Sequence, residues 1–133
     1  MPDVTTLSAS DCDALAQGLR DAADAAKEQR KVIDPQGQEY FVLQRQEDAL
    51  RDMADQYTAI AIERDTVLPD LSAAHLQAAI DQANQTLLGI KKVKAAIGVF
   101  AGLIDFASAV ISKKPKAIWD AAKVLKDRVD AVA

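Results

Sequence analysis

The sequence has few of the residues on which metal sites and covalently stabilised folds depend. Its 133 residues include one cysteine, Cys12, and one histidine, His75. A single cysteine excludes an intramolecular disulfide, so the fold does not depend on an oxidising compartment. A zinc site would have only one histidine and one cysteine to use, and no Glu-x-x-His pair for a di-iron site is present. We therefore expect no metal or other cofactor.

Glycine and proline are scarce as well, with five and four residues respectively. Alanine-rich runs lie between them, and alanine is the strongest helix former. No segment shows strict apolar and polar alternation flanked by turns, so no strands are predicted. Half of the residues are hydrophobic, which argues against disorder. The sequence therefore predicts an all-α protein: a single antiparallel bundle of four to five helices with an apolar C-terminal helical hairpin.

Several breaks divide the chain into predicted helices. Asp34-Pro35-Gln36-Gly37 matches a type I turn, which predicts that the second helix folds back on the first. Pro69 marks a second break. Gly89 precedes three clustered lysines, and the apolar stripes on either side differ by roughly 150° on a helical wheel, which predicts a kink or break. After a flexible tail at 1–7, the predicted helices span about 8–33, 38–67, 72–90, 94–112 and 115–132.

The segment 95–112 is the most apolar part of the chain. Its length is at the lower limit for a membrane span, and Asp105 near its centre opposes insertion by about 2.5–3.5 kcal/mol. Bulky residues fill one face of its helical wheel and small or polar residues fill the other, which is typical of a buried bundle helix. Asp105 either points outward along the small face, or is buried and paired as a switch for opening the hairpin. Lysines bracket the segment at Lys91, Lys92, Lys94, Lys113, Lys114 and Lys116.

Charge is distributed unevenly along the chain. Residues 1–90 carry 7 Lys/Arg and 16 Asp/Glu, a net charge of −9, whereas residues 91–133 carry 9 and 4, a net charge of +5. The two halves either attract each other within one bundle, or the basic half binds an anionic partner such as lipid headgroups or an acidic protein. Nucleic acid is disfavoured as a partner because the whole chain is acidic and aromatics are few.

Trp119 is the residue that most directly suggests an interaction surface. It falls outside the apolar stripe of the last predicted helix and shares its side of the wheel with three lysines. A tryptophan among basic residues suits contact with an anionic surface or an acidic partner. Alternatively, Trp119 packs on a neighbouring helix and the lysine stems cover it. The candidate interaction patch consists of Lys116, Trp119, Lys123 and Lys126.

No catalytic constellation is present in the sequence. It contains no phosphate-binding loop and no nucleophile elbow, and its carboxylates fall on predicted outer faces. A Cys–His dyad would need His75 to lie beside Cys12, which nothing in the sequence requires. We therefore expect a non-enzymatic protein that binds another protein or self-associates.

The alternative function is a soluble protein that uses the lysine-flanked apolar hairpin 91–133 on an anionic membrane. The N-terminal residues MPDVTTLSAS have neither a basic region nor an apolar core, so no signal peptide is predicted. A cytoplasmic location is the expectation.

Overall fold

Five helices form most of the structure. In a computed structural model of the chain, the described residues are 4–7, 9–63, 66–69, 73–112 and 115–132. The helices pack against one another, which confirms the predicted all-α bundle. In chain order the elements are β1 (Val4–Leu7), α1 (Ala9–Lys31), α2 (Gln38–Glu63), β2 (Thr66–Pro69), α3 (Ala73–Gly89), α4 (Val93–Ser112) and α5 (Pro115–Val132).

Local sequence signals determine where several helices begin and end. After α1, the Gly37 amide donates to the Asp34 carbonyl at 3.0 Å and the Gln36 amide donates to the Asp34 carboxylate at 2.9 Å. These bonds form the predicted turn and allow α2 to run antiparallel to α1. The predicted break after Gly89 is also confirmed, because α3 ends at Gly89 and α4 begins at Val93.

A short antiparallel strand pair corrects two sequence predictions. β1 pairs with β2, with Val4 opposite Pro69 and Leu7 opposite Thr66. The prediction that the chain has no strands is therefore wrong, and so is the extension of the second helix to residue 67. The pairing also places residues 4–7 of the predicted flexible tail in a strand. Each strand has only four residues, so neither gives a recognisable periodicity by itself.

Contacts between helices fix their relative directions. Gln46 and Tyr57 of α2 bond to Ile97 and Ala107 of α4, so these two helices are parallel. Arg128 of α5 bonds to Gly98 near the start of α4, so α4 and α5 form the predicted antiparallel hairpin. α1 runs antiparallel to α2 and parallel to α3. In the resulting ring of contacts, α2 packs on α1 and α4, α3 packs on α1 and α5, and α4 packs on α5.

The core is built around one face of α4. Phe100, Leu103 and Phe106 are fully or almost fully buried. Each contributes about 1.5–3 kcal/mol by leaving water. Polar side chains from both neighbouring helices also donate to carbonyl oxygens of α4, so the helix is held in a defined register. These donors are Gln46 Nε2 to Ile97 at 3.0 Å, the Tyr57 hydroxyl to Ala107 at 2.9 Å and Arg128 Nη1 to Gly98 at 2.8 Å.

Gly18 allows α1 and α3 to approach closely. A Cβ added at Gly18 would lie 2.6 Å from Cγ2 of Ile80, so either the Ile80 side chain or one of the helices would have to move. Asn84 Nδ2 of α3 donates to the Gly18 carbonyl at 2.9 Å, which holds the two backbones at this spacing. The Ile80 methyl group is attached to a β-branched carbon, so it cannot move away without a change of rotamer.

We expect Gly18→Ala to lower the free energy of unfolding by about 1–2 kcal/mol, because overpacking outweighs the better helix propensity of alanine. Gly89→Ala is the matched control, since a Cβ at Gly89 meets no atom within 4 Å. This control should change the stability by less than about 0.5 kcal/mol, because Gly89 is the last residue of α3. Urea denaturation followed by circular dichroism measures both. Equal effects of the two substitutions would contradict the close approach at Gly18.

Candidate interaction surface

The four residues of the predicted patch lie together on the outside of α5. Trp119 is 53% exposed, and Lys116, Lys123 and Lys126 are also exposed. Their spacing of three, four and three residues places them on one side of the helix. The structure therefore brings these residues together as one surface, which we call the Trp119 patch.

The Trp119 patch is less basic than the sequence analysis assumed. Each of its three lysines, Lys116, Lys123 and Lys126, is followed four residues later by an aspartate. A carboxylate at this spacing lies beside its lysine on the helix surface. The patch therefore presents alternating charges around an exposed indole. Lys113 and Lys114, which the sequence analysis also counted on this side of the apolar segment, lie outside the described residues.

A shallow groove borders the Trp119 patch. It has a volume of about 310 Å³ and lies between α3 and α5, three of its lining residues are alanines, and Lys126 belongs to both the groove and the patch. Small side chains leave room for another chain to approach the two helices closely. Its lining residues are His75, Ala78, Ala79, Gln82, Ala122, Leu125, Lys126 and Val129.

A second exposed apolar surface lies at the end of the bundle where α1 and α3 finish. Val32 is 80% exposed and Leu88 is 79% exposed. Both line a concavity of about 400 Å³ that also includes Ile90 and Lys91. Ile90 and Lys91 also line a neighbouring concavity of about 440 Å³, together with Lys92. This end surface was not identified from the sequence. Leu88 falls outside the apolar stripe of α3, and Val32 follows the last residue of α1.

Asp105 is exposed, as is Ser108 one turn further along α4. The alternative in which Asp105 is a buried switch is therefore wrong, and the outward orientation is correct. Asp105 belongs to the segment Val93–Ile111 of α4. Among the described residues, this is the one segment that is long and apolar enough to cross a membrane, by length and composition only, and half of it is buried within the bundle. Asp105 points away from the buried half because it belongs to the small and polar face.

Cys12 and Tyr57 belong to the core. The thiol of Cys12 is buried, and burial raises the pKa of Tyr57 well above its usual range, with the nearby Cys12 adding to the effect. The Tyr57 hydroxyl donates a hydrogen bond to the Ala107 carbonyl, so Tyr57 has a structural role. His75 is exposed. Among the described residues, no group of three or more His, Cys, Asp or Glu could hold a metal ion.

The main cluster of charged side chains with shifted pKa values joins α1 to α2. Glu47 accepts from Arg30 and from Arg51, whose guanidinium lies 2.9 Å away, and Arg51 also pairs with Asp24 at 3.0 Å. The guanidinium of Arg30 additionally lies 5.5 Å from the centre of the Tyr40 ring. Burial alone would raise the pKa of Glu47, but the bonds from Arg51 and Arg30 outweigh it and hold the pKa below its usual value. The cluster satisfies its own charges.

The depressed pKa of Glu47 predicts acid sensitivity. We expect Glu47→Gln to cost about 2 kcal/mol at pH 7, less than a fully buried pair, because the Arg51 side chain is 41% exposed. A carboxylate with a lowered folded-state pKa stabilises the fold above its unfolded pKa and loses that contribution as the pH falls. The stability difference between wild type and variant should therefore shrink below about pH 4.5.

Chemical denaturation at several pH values measures this difference. Glu28→Gln is the control, because Glu28 forms an exposed pair with Lys31 and should change stability little. A stability difference for Glu47→Gln that persists unchanged at low pH would contradict the ionic origin of its contribution.

Comparison with known proteins does not assign a function to these surfaces. The chain matches no protein-family model, no curated protein and no solved structure. The function of these surfaces is therefore inferred from the residues that form them.

Proposed function

We propose that this protein is a non-enzymatic helical bundle that acts through protein–protein interaction or self-association. The observation that carries the proposal is the Trp119 patch, where an indole is half exposed among charged side chains on the outside of α5. Tryptophan is enriched among the residues that dominate binding energy in interfaces, because it combines a large apolar area with a polar N–H group. An indole with about half of its surface exposed to water is available to a partner.

The chemistry of the patch describes the partner that would fit it. The lysines favour carboxylates, and the aspartates one turn further along favour cations, so a partner helix with mixed charges around an apolar centre complements this surface. The adjoining groove between α3 and α5 extends the surface with alanines, which allow close contact.

Trp119 is the only tryptophan, so its fluorescence reports directly on the patch. We expect its emission to shift to shorter wavelength, and its quenching by acrylamide to fall, when the protein is mixed with an amphipathic helical peptide of mixed charge. The double variant Trp119→Ala, Lys123→Ala should weaken the binding by at least ~10-fold, measured by light scattering or by fluorescence of a labelled peptide.

The control for this experiment is Gln85→Ala, an exposed side chain on α3 that does not line the groove beside the patch. It should leave binding and folding unchanged. If Trp119 emission is insensitive to the peptide, and the double variant binds the peptide as well as wild type does, the proposal for this patch is wrong.

A second candidate function is association with an anionic membrane, which the end surface favours. There Val32 and Leu88 are almost fully exposed beside Lys91 and Lys92. Each lysine close to an anionic bilayer contributes about 1 kcal/mol, and exposed apolar side chains add insertion into the interface. This mode does not require the hairpin 91–133 to open, whereas insertion of α4 would expose the buried face that carries Phe100 and Phe106.

Flotation with vesicles tests this second candidate. Binding to phosphatidylserine-containing vesicles but not to neutral phosphatidylcholine vesicles, with loss of binding in Leu88→Ser, Lys91→Ser, is the expected result if the end surface contacts membrane. Trp119→Ala serves as the control and should bind normally. Equal recovery with both vesicle types, or no recovery with either, would exclude electrostatic membrane association through this surface.

A further inference from the structure

The outer face shared by α2 and α4 has an apolar centre with charged margins. Its centre consists of partly buried apolar side chains from both helices. On a helical wheel they border the side on which α2 meets α4. These residues are Val42, Ala49 and Met53 on α2 and Ile97 and Ile104 on α4. Three of them, Met53, Ile97 and Ile104, pack against the core. We call this surface the α2/α4 face.

The charges at the margins of this face are ordered along the bundle. Arg45 and Asp52 are exposed on α2, seven residues apart and therefore on one side of the helix. Lys94 and Asp105 are exposed on α4, eleven residues apart and again on one side. None of the ion pairs formed among the described residues uses these four side chains.

Both helices carry their positive charge at the same end of the face. α2 and α4 are parallel, and Gln46 lies level with Ile97 because its side chain bonds to the Ile97 carbonyl. The midpoint between Arg45 and Asp52 falls at 48–49, and the midpoint between Lys94 and Asp105 falls at 99–100. The first midpoint lies two to three residues after Gln46, and the second lies two to three residues after Ile97. Because Gln46 and Ile97 are level, the two midpoints are level along the bundle. Arg45 and Lys94 therefore lie toward one end of the face and Asp52 and Asp105 toward the other, about a common centre.

Such a surface is complementary to itself when it is reversed. A two-fold axis that crosses both helices at the common centre places α2 on the partner's α2 and α4 on the partner's α4, antiparallel in each case. Arg45 then faces the partner's Asp52, and Lys94 faces the partner's Asp105. The other two-fold arrangement, with its axis along the helices, places Arg45 opposite the partner's Lys94, and like charges opposed in this way disfavour association. Charge thus selects the antiparallel arrangement.

Small residues lie where the two copies of α4 would cross. Gly98 and Ala101 bracket the centre of the face, and a Cβ at Gly98 would meet no atom within 4 Å. Small residues at a crossing point let two helix backbones approach closely. The apolar side chains on either side, Ile97 and Ile104, would then pack against the partner rather than remain partly exposed to water.

We propose that the α2/α4 face binds a second copy of this chain and forms a two-fold symmetric, antiparallel dimer. This inference rests on the proposed self-association and assigns it to the α2/α4 face. It leaves the Trp119 patch on α5 outside the dimer contact, free for a different partner. An isologous interface of this kind closes after two copies, so no larger assembly is built from it.

Charge reversal tests the arrangement without disturbing the core. Sedimentation equilibrium over a concentration series reaching the high micromolar range measures the dimer dissociation constant. Lys94→Glu alone and Asp105→Lys alone should each raise it by at least ~10-fold, because each dimer contains the contact twice. The double variant Lys94→Glu, Asp105→Lys exchanges the partners and should restore the wild-type constant to within ~3-fold. Lys27→Glu, the same change on the exposed side of α1, is the control and should have little effect.

A second variant tests the contact of the two α4 helices independently of charge. Ala101→Arg should give a monomer that retains the helical circular dichroism spectrum and melting transition of a folded bundle. Dimerisation that survives Ala101→Arg would overturn the inference, because it would show that the two α4 helices do not cross at Ala101. A dimer that Lys94→Glu strengthens would also overturn it, because that result would indicate the other two-fold arrangement.

A chain that is monomeric at every concentration would also overturn the dimer. The proposed function would then stand or fall on the Trp119 patch variants alone. Conversely, a dimer that dissociates in Trp119→Ala, Lys123→Ala but not in the α4 variants would support the proposed function while contradicting the use of the α2/α4 face.

Discussion

Burial of one face of α4 is the constraint on which the other helices depend. Phe100, Leu103 and Phe106 supply the largest apolar side chains in the middle of the core. Their burial stabilises the fold but does not set the register of the helix, because apolar contact is not directional. Hydrogen bonds from Gln46, Tyr57 and Arg128 to carbonyl oxygens of α4 supply that direction, and they fix α2 and α5 relative to it.

The interfaces of α1 have a different physical basis. Its buried side is mostly alanine with two leucines, which provides little apolar area per residue but lets neighbouring helices come close. Gly18 is the extreme case, against Ile80 of α3. On the α2 side, the register depends more on charge, because Arg30 and Arg51 converge on Glu47, which is almost completely buried. Close backbone contact and a satisfied ionic cluster together replace the large side chains that α1 lacks.

The same asymmetry explains why the proposed interaction surfaces lie where they do. Since the inner face of α4 anchors the bundle, its outer face can consist of small and charged residues, including Gly98, Ala101 and Asp105. α5 contributes to the core through Ile118, Leu125 and Val129, so Trp119 lies outside the buried stripe. The α2/α4 face and the Trp119 patch are thus distinct surfaces, and binding at one does not require the other to be covered.

The sequence by itself determined the features that depend on neighbours within about one or two helical turns. Helix periodicity predicted the all-α bundle, the break after Gly89 and the outward side of Trp119, and turn chemistry predicted the bonds to Asp34. Tertiary structure alone decided features that join distant segments: the strand pair between residues 4–7 and 66–69, the burial of Glu47 between two arginines, and the role of Gln46. That glutamine interrupts the apolar seam of α2 in the sequence, yet in the fold it bonds to α4. The periodicity of a helix shows which side chains share a face, but only the placement of the other helices determines which of those faces is covered and which polar groups find a partner.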